Sequence, residues 1–160
     1  MEFRVRVHIT HRSDRQELTE AFSPYLQLGN LGDEFTDEDK AALEKMAGRF
    51  GKKGWSQDFD RATILEGRRC LRMLRVELVL QSEAKADPEW VRQTKELEAA
   101  GKVPFVKDPN QAVQMINEIR VRQIRKIDRA MEILEVALDG LDSLVGQALA
   151  LTEAVQEQAG

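Results

Sequence analysis

The sequence predicts an α+β fold that is predominantly α-helical, with a small antiparallel β element and a long heptad-patterned C-terminal helix. Three observations predict it. Residues 3–9 alternate apolar and polar side chains, the period of a half-buried strand. Between residues 13 and 101, short amphipathic segments follow capping residues. From about Asn110 to Glu157 no proline interrupts an apolar heptad.

In chain order, Phe3, Val5, Val7 and Ile9 form one side of the first strand, with Arg4, Arg6 and His8 on the other. Ser13 is the expected N-cap of a short helix, with Gln16 at the capping-box position and Leu18 and Phe22 one turn apart. Ser23-Pro24 reads as a new cap, and residues 28–33 as a loop by their glycines and asparagine. Thr36 caps the next helix. Asp37, Glu38 and Asp39 crowd its positive end, Leu43, Met46, Ala47 and Phe50 form its apolar face, and Gly51 stops it. Gly51-Lys52-Lys53-Gly54-Trp55 reads as a flexible basic loop before a cap at Ser56.

The helix that follows places Arg68, Arg69, Arg72 and Arg75 on one side and Cys70, Leu71, Met73 and Leu74 on the other. Beyond it Leu74, Val76, Leu78 and Leu80 alternate. Residues 74–81 are therefore expected as the strand that pairs with the N-terminal one, whose backbone needs a partner. Asp87-Pro88 opens a short helix ending near Gly101, and Val103-Pro104-Phe105-Val106 is expected as an extended edge strand. Asp108-Pro109 opens the last element, so the expected organisation is a small α+β domain over 1–109 and a long helix over 110–160.

In that helix Ile124, Ile127, Met131, Leu134, Leu138, Leu141, Val145, Ala148, Thr152 and Val155 recur at alternating steps of three and four, as the a and d positions of a coiled coil do. Roughly 48 residues of helix would extend about 70 Å. Asp139-Gly140 offers a turn that would divide it into two antiparallel helices; the unbroken phase across Leu138, Leu141 and Val145 favours one helix. Charge is polarised: Arg120, Arg122, Arg125, Lys126 and Arg129 come first, and only acids follow, from Glu132 to Glu157. Antiparallel packing would set base against acid, either between two copies or against the Arg68–Arg75 face. Exposed pairs of this kind choose orientation more than they add strength.

The bulk properties narrow the function classes. The 160 residues, 42% hydrophobic and 32% charged, suit one folded, helix-rich domain. A net charge of -4 is not that of a dedicated nucleic-acid binder. Cys70 is the lone cysteine, the N-terminus does not read as a signal peptide, and no apolar run approaches about 20 residues, so a cytoplasmic location with no membrane partner is expected.

Chemistry-bearing motifs are sparse. His8 and His11 would fall on opposite faces of a strand, which argues against a shared metal. Cys70 sits in an apolar stripe with no evident base, as a core residue would. The Asp33–Asp39 acids lack the spacing of a calcium loop, and the glycines and lysines of 51–54 lack that of a phosphate-binding loop. No catalytic, cofactor or metal residue is nominated.

The expected function is non-enzymatic assembly by coiled-coil-like association, as a homodimer or with another helical protein. The candidate seam is Ile124, Ile127, Met131, Leu134, Leu138, Leu141, Val145 and Val155. The alternative is a nucleic-acid-associated protein whose contacts, to phosphate or to an acidic partner, would be Arg68, Arg69, Arg72, Arg75, Arg120, Arg122, Arg125, Lys126 and Arg129. An enzyme with a site assembled from scattered residues, and a small inhibitor or immunity-type protein, are further alternatives.

Overall fold

The computed structural model describes residues 5–23, 34–51, 58–83 and 85–159. Among them the order is β1 (Arg6–His8), α1 (Arg12–Phe22), α2 (Asp37–Phe50), β2 (Asp58–Asp60), α3 (Arg61–Ser82), α4 (Pro88–Ala99) and α5 (Pro109–Ala159). The fold is predominantly helical, with one two-stranded antiparallel sheet and a long C-terminal helix, as the sequence predicts. The chain divides into two compact units: Met1–Leu74 with Lys126–Gly160, and Arg75–Arg125.

The first unit packs α1, α2, the sheet, most of α3 and the larger part of α5 around one apolar core. Leu18, Ala21 and Phe22 from α1 are buried, as are Leu43, Met46, Ala47 and Phe50 from α2. Phe50 stacks on Phe22 with ring centroids 5.1 Å apart and on Phe59 with centroids 4.8 Å apart. The sheet is thus tied to the helices by an aromatic column. Ile64, Cys70, Leu71 and Leu74 of α3 are fully buried, as are Ile127, Ala130 and Leu134 of α5. The Thr19 hydroxyl lies 2.8 Å from the Phe50 carbonyl oxygen and also 2.8 Å from that of Arg15, so its single proton links α1 to the end of α2 or to its own helix.

Several local expectations need correction. The partner of β1 is β2, in the register Arg6–Asp60, Val7–Phe59 and His8–Asp58, and not residues 74–81. Those residues continue α3 to Ser82. Their apparent alternation is two helical pairs one turn apart: Leu74 and Leu78 are buried, and Val76 and Leu80 lie exposed on the outer side. β2 escapes a reading by period because three residues, two of them aspartate, carry too little alternation to register. Residues 103–106 form no ladder, and Val103 and Phe105 are fully exposed.

Caps set the helix starts. α1 begins at Arg12 with His11 as N-cap and no side-chain cap bond, so the cap lies two residues before the expected Ser13. α2 starts as expected: Thr36 accepts from the Asp39 amide, and Asp39 accepts in return from the Thr36 amide. The expected caps at Ser23-Pro24 and Ser56 and the loops over 28–33 and 51–55 fall on or against residues outside the described ones. α3 begins at Arg61, where Asp60 accepts from the Thr63 amide at 2.8 Å.

The second unit holds the end of α3, α4 and the first part of α5. Asp87 caps α4 through the Glu89 amide. The helix closes on Gly101 at φ 73, where the Lys102 amide reaches back to Leu97 O and the Gly101 amide to Glu98 O. This left-handed closure suits glycine, which has no Cβ to clash. Arg120 donates to the Gln81 carbonyl at 3.1 Å and so satisfies one of the open carbonyls at the end of α3.

Candidate association surface

α5 is one continuous helix through Gly140, so the turn considered at Asp139-Gly140 does not form. In the first unit its partner is α3 of the same chain. Arg68 Nη2 meets Glu135 Oε1 at 2.8 Å, and Arg61 Nε meets Asp142 Oδ1 at 2.8 Å. The two pairs advance seven residues along α3 as they retreat seven along α5, which is antiparallel packing. Arg61 and Arg68 of one helix therefore answer acids in the distal half of the other within the chain.

The candidate seam separates into covered and open parts. Ile127, Leu134, Leu138 and Leu141 are buried, Ile124, Met131 and Val145 are half-buried, and Val155 is exposed. On a helical wheel Leu144, Ala148, Leu151 and Val155 fall on the side that carries Ala137 and Leu141 into the core. Beyond Leu141 the cover ends: Leu144 is 48% exposed, Leu151 68% and Val155 63%. An apolar ridge of about three turns leaves the core and faces solvent.

The basic candidates also divide. Arg69 pairs with Glu66 at 2.5 Å and with Asp39 at 3.5 Å, Lys126 with Glu20 at 3.7 Å, and Arg129 with Glu132 at 3.2 Å and Asp14 at 3.9 Å. Arg120 is committed to Gln81 and Asn117. Arg72 is exposed on α3 without an ion pair among the described residues, and Arg75 is half-buried. Arg122 and Arg125 make no ion pair among the described residues. In the second unit they line an open groove of about 600 Å³, with Lys85 as the third cation, Glu118 as the acid, and Val113 and Val121 as apolar wall. The outward face of Arg122 and Arg125 is visible in the sequence. The approach of Lys85 is not, because it depends on how the segment before α4 runs.

The remaining chemistry is structural. The Thr36 amide, and less strongly Arg69, hold the Asp39 carboxyl below its ordinary range, so this acid belongs to a helix cap. Burial pushes the Cys70 thiol up to about 11, and Cys70 is fully buried, so it is no nucleophile at neutral pH. His8 Nδ1 lies 2.6 Å from Asp58 Oδ1 across the sheet, with both side chains substantially exposed. Among the described residues no cluster of His, Cys, Asp and Glu is suited to a metal, and no helix is long and apolar enough to cross a membrane. No protein-family model, curated protein or solved structure matches the chain.

Proposed function

We propose that this chain is a non-enzymatic assembly protein that self-associates through the part of α5 beyond Leu141. The observation that carries this reading is the ridge of Leu144, Leu151 and Val155, which continues the buried face and stays in water. Burying each large apolar side chain contributes about 1.5–3 kcal/mol. Association first has to offset lost translational and rotational freedom, so three such residues with their half-buried neighbours support reversible pairing. The reading goes with a cytoplasmic setting, since the lone thiol is buried in a core and takes no part in a disulfide.

Nucleic-acid association is the weaker reading. Arg68, Arg69, Lys126 and Arg129 are engaged with carboxylates, and releasing them to bind phosphate would forfeit those pairs. The test of self-association is the mass in solution across a range of concentrations, for the parent chain and for Leu144→Asp with Leu151→Asp. The parent mass is expected to rise with concentration, and the variant is expected to stay monomeric with its helical content intact. A parent that is monomeric throughout, or a variant that associates as the parent does, removes the reading. Leu134 and Leu141 are unsuitable targets, because both are buried in the chain's own core.

A further inference from the structure

Among the basic residues of α5, those engaged elsewhere leave two over, and both line the groove of the second unit. Arg120 holds the end of α3, and Lys126 and Arg129 face carboxylates. Arg122, Arg125 and Lys85 converge on the groove with one acid, Glu118, among its lining residues. Convergent like charges cost free energy in the absence of an anion. The far end of the same helix has the opposite surplus. Beyond Arg129 it carries no Lys or Arg. Glu132, Glu135 and Asp142 are paired, whereas Asp139, Glu153 and Glu157 have no ion pair among the described residues.

The two surfaces also carry matching chemistry. In the groove, Val121 stands one turn before Arg125. On the distal helix, Leu149 stands one turn before Glu153, with Glu157 a turn further on. Val121 and Leu149 are both part-exposed. The groove follows α5 from Asn110 to Arg125, about 22 Å at the helical rise, which accommodates a helix of about fifteen residues. Glu153 lies on the side of α5 away from Leu144 and Leu151, so an ionic contact there does not compete with the apolar ridge. Neither an aromatic side chain nor an acid-free lining is present to favour a nucleic-acid strand.

We infer that the groove of the second unit receives the acidic distal segment of α5, about residues 146–157, from a second copy of this chain, with Arg122 and Arg125 facing Glu157 and Glu153. The inference rests on the self-association reading and adds to it a second contact, made by the face of α5 opposite the ridge. Laid antiparallel to the groove's own α5, the segment sets Glu157 toward Arg122 and Glu153 toward Arg125, and the exchange is then reciprocal within a pair.

A charge exchange tests it. One variant carries Arg122→Glu with Arg125→Glu, and the other Glu153→Arg with Glu157→Arg; all four positions are exposed, and helical content is checked for each. Each variant alone is expected to associate about tenfold or more weakly than the parent, because base meets base or acid meets acid. An equimolar mixture restores opposite charges at both contacts and is expected to return to within about threefold of the parent. Association of the parent should also weaken with added salt. If the parent associates and the reversals change nothing, or the mixture fails to recover, the groove assignment falls while self-association stands. A parent that never associates removes both. A fluorescent 20-mer of single-stranded DNA is titrated in parallel: binding that disappears with Arg122→Glu and Arg125→Glu would give the groove to nucleic acid and overturn the inference.

Discussion

Gly67 and Gly140 are both helical glycines in opposite surroundings. A Cβ on Gly67 would lie 2.9 Å from Phe50 Cε2 and 3.4 Å from Leu134 Cδ1, inside the aromatic column. Phe50 has little room to yield because Phe22 and Phe59 hold its two faces. Overpacking costs about 1–3 kcal/mol, against a gain in helix propensity of about 1 kcal/mol. Gly67→Ala is therefore expected to lower the urea unfolding midpoint by the equivalent of about 1 kcal/mol. At Gly140 a Cβ meets nothing within 4 Å. Gly140→Ala is expected to raise the midpoint by up to about 1 kcal/mol. Cys70 gives a third test at this scale. Its buried thiol should react with a thiol reagent at neutral pH only as the protein unfolds, and added urea should speed the labelling.

Helix starts carry much of the acid sensitivity. Hydrogen bonds from Thr63 hold the Asp60 carboxyl below its ordinary range, and the Arg69 guanidinium does the same for Glu66. With Asp39, these groups take up a proton at lower pH when folded than when unfolded. Their contribution is complete above the unfolded values, about pH 4, and is lost as pH falls through the folded ones. Thermal stability should therefore be flat from about pH 8 to 5 and decline below about 4. Asp60→Asn should begin lower at pH 7 and decline less steeply, which a melting series in both chains would check. At the start of α2, Thr36→Ala removes the reciprocal cap with Asp39 and should cost about 1 kcal/mol.

Packing within the first unit separates strength from orientation. Leu134 is fully buried, whereas Glu135 beside it is exposed and meets Arg68. Leu134→Ala should cost about 2–5 kcal/mol, and the coupling between Arg68 and Glu135 in a double-mutant cycle should stay below about 1 kcal/mol. If the cycle instead yielded several kcal/mol, the ion pairs and not the apolar seam would hold α3 to α5. Where α5 leaves that cover, the same seam chemistry becomes available to a second copy, and the solution mass of the Leu144 and Leu151 variant is the measurement that matters.

The sequence by itself determined the helical segments other than the second half of α3, the capping of α2 and α4, the length of α5 and the charge asymmetry along it. Those features depend on neighbours within a turn or two, and a periodic pattern or a proline reports them directly. It also showed that antiparallel packing would bring base to acid. Only the tertiary structure decided that α3 supplies the antiparallel partner from Leu134 to Asp142, and that the ridge from Leu144 to Val155 is left open. Heptad spacing says that a face must be covered; it does not say by what. The same limit explains residues 74–81 and Lys85. Whether an apolar pair lies inside or outside, and which cation nears a groove, is settled by residues far apart in the chain. No local period records their approach.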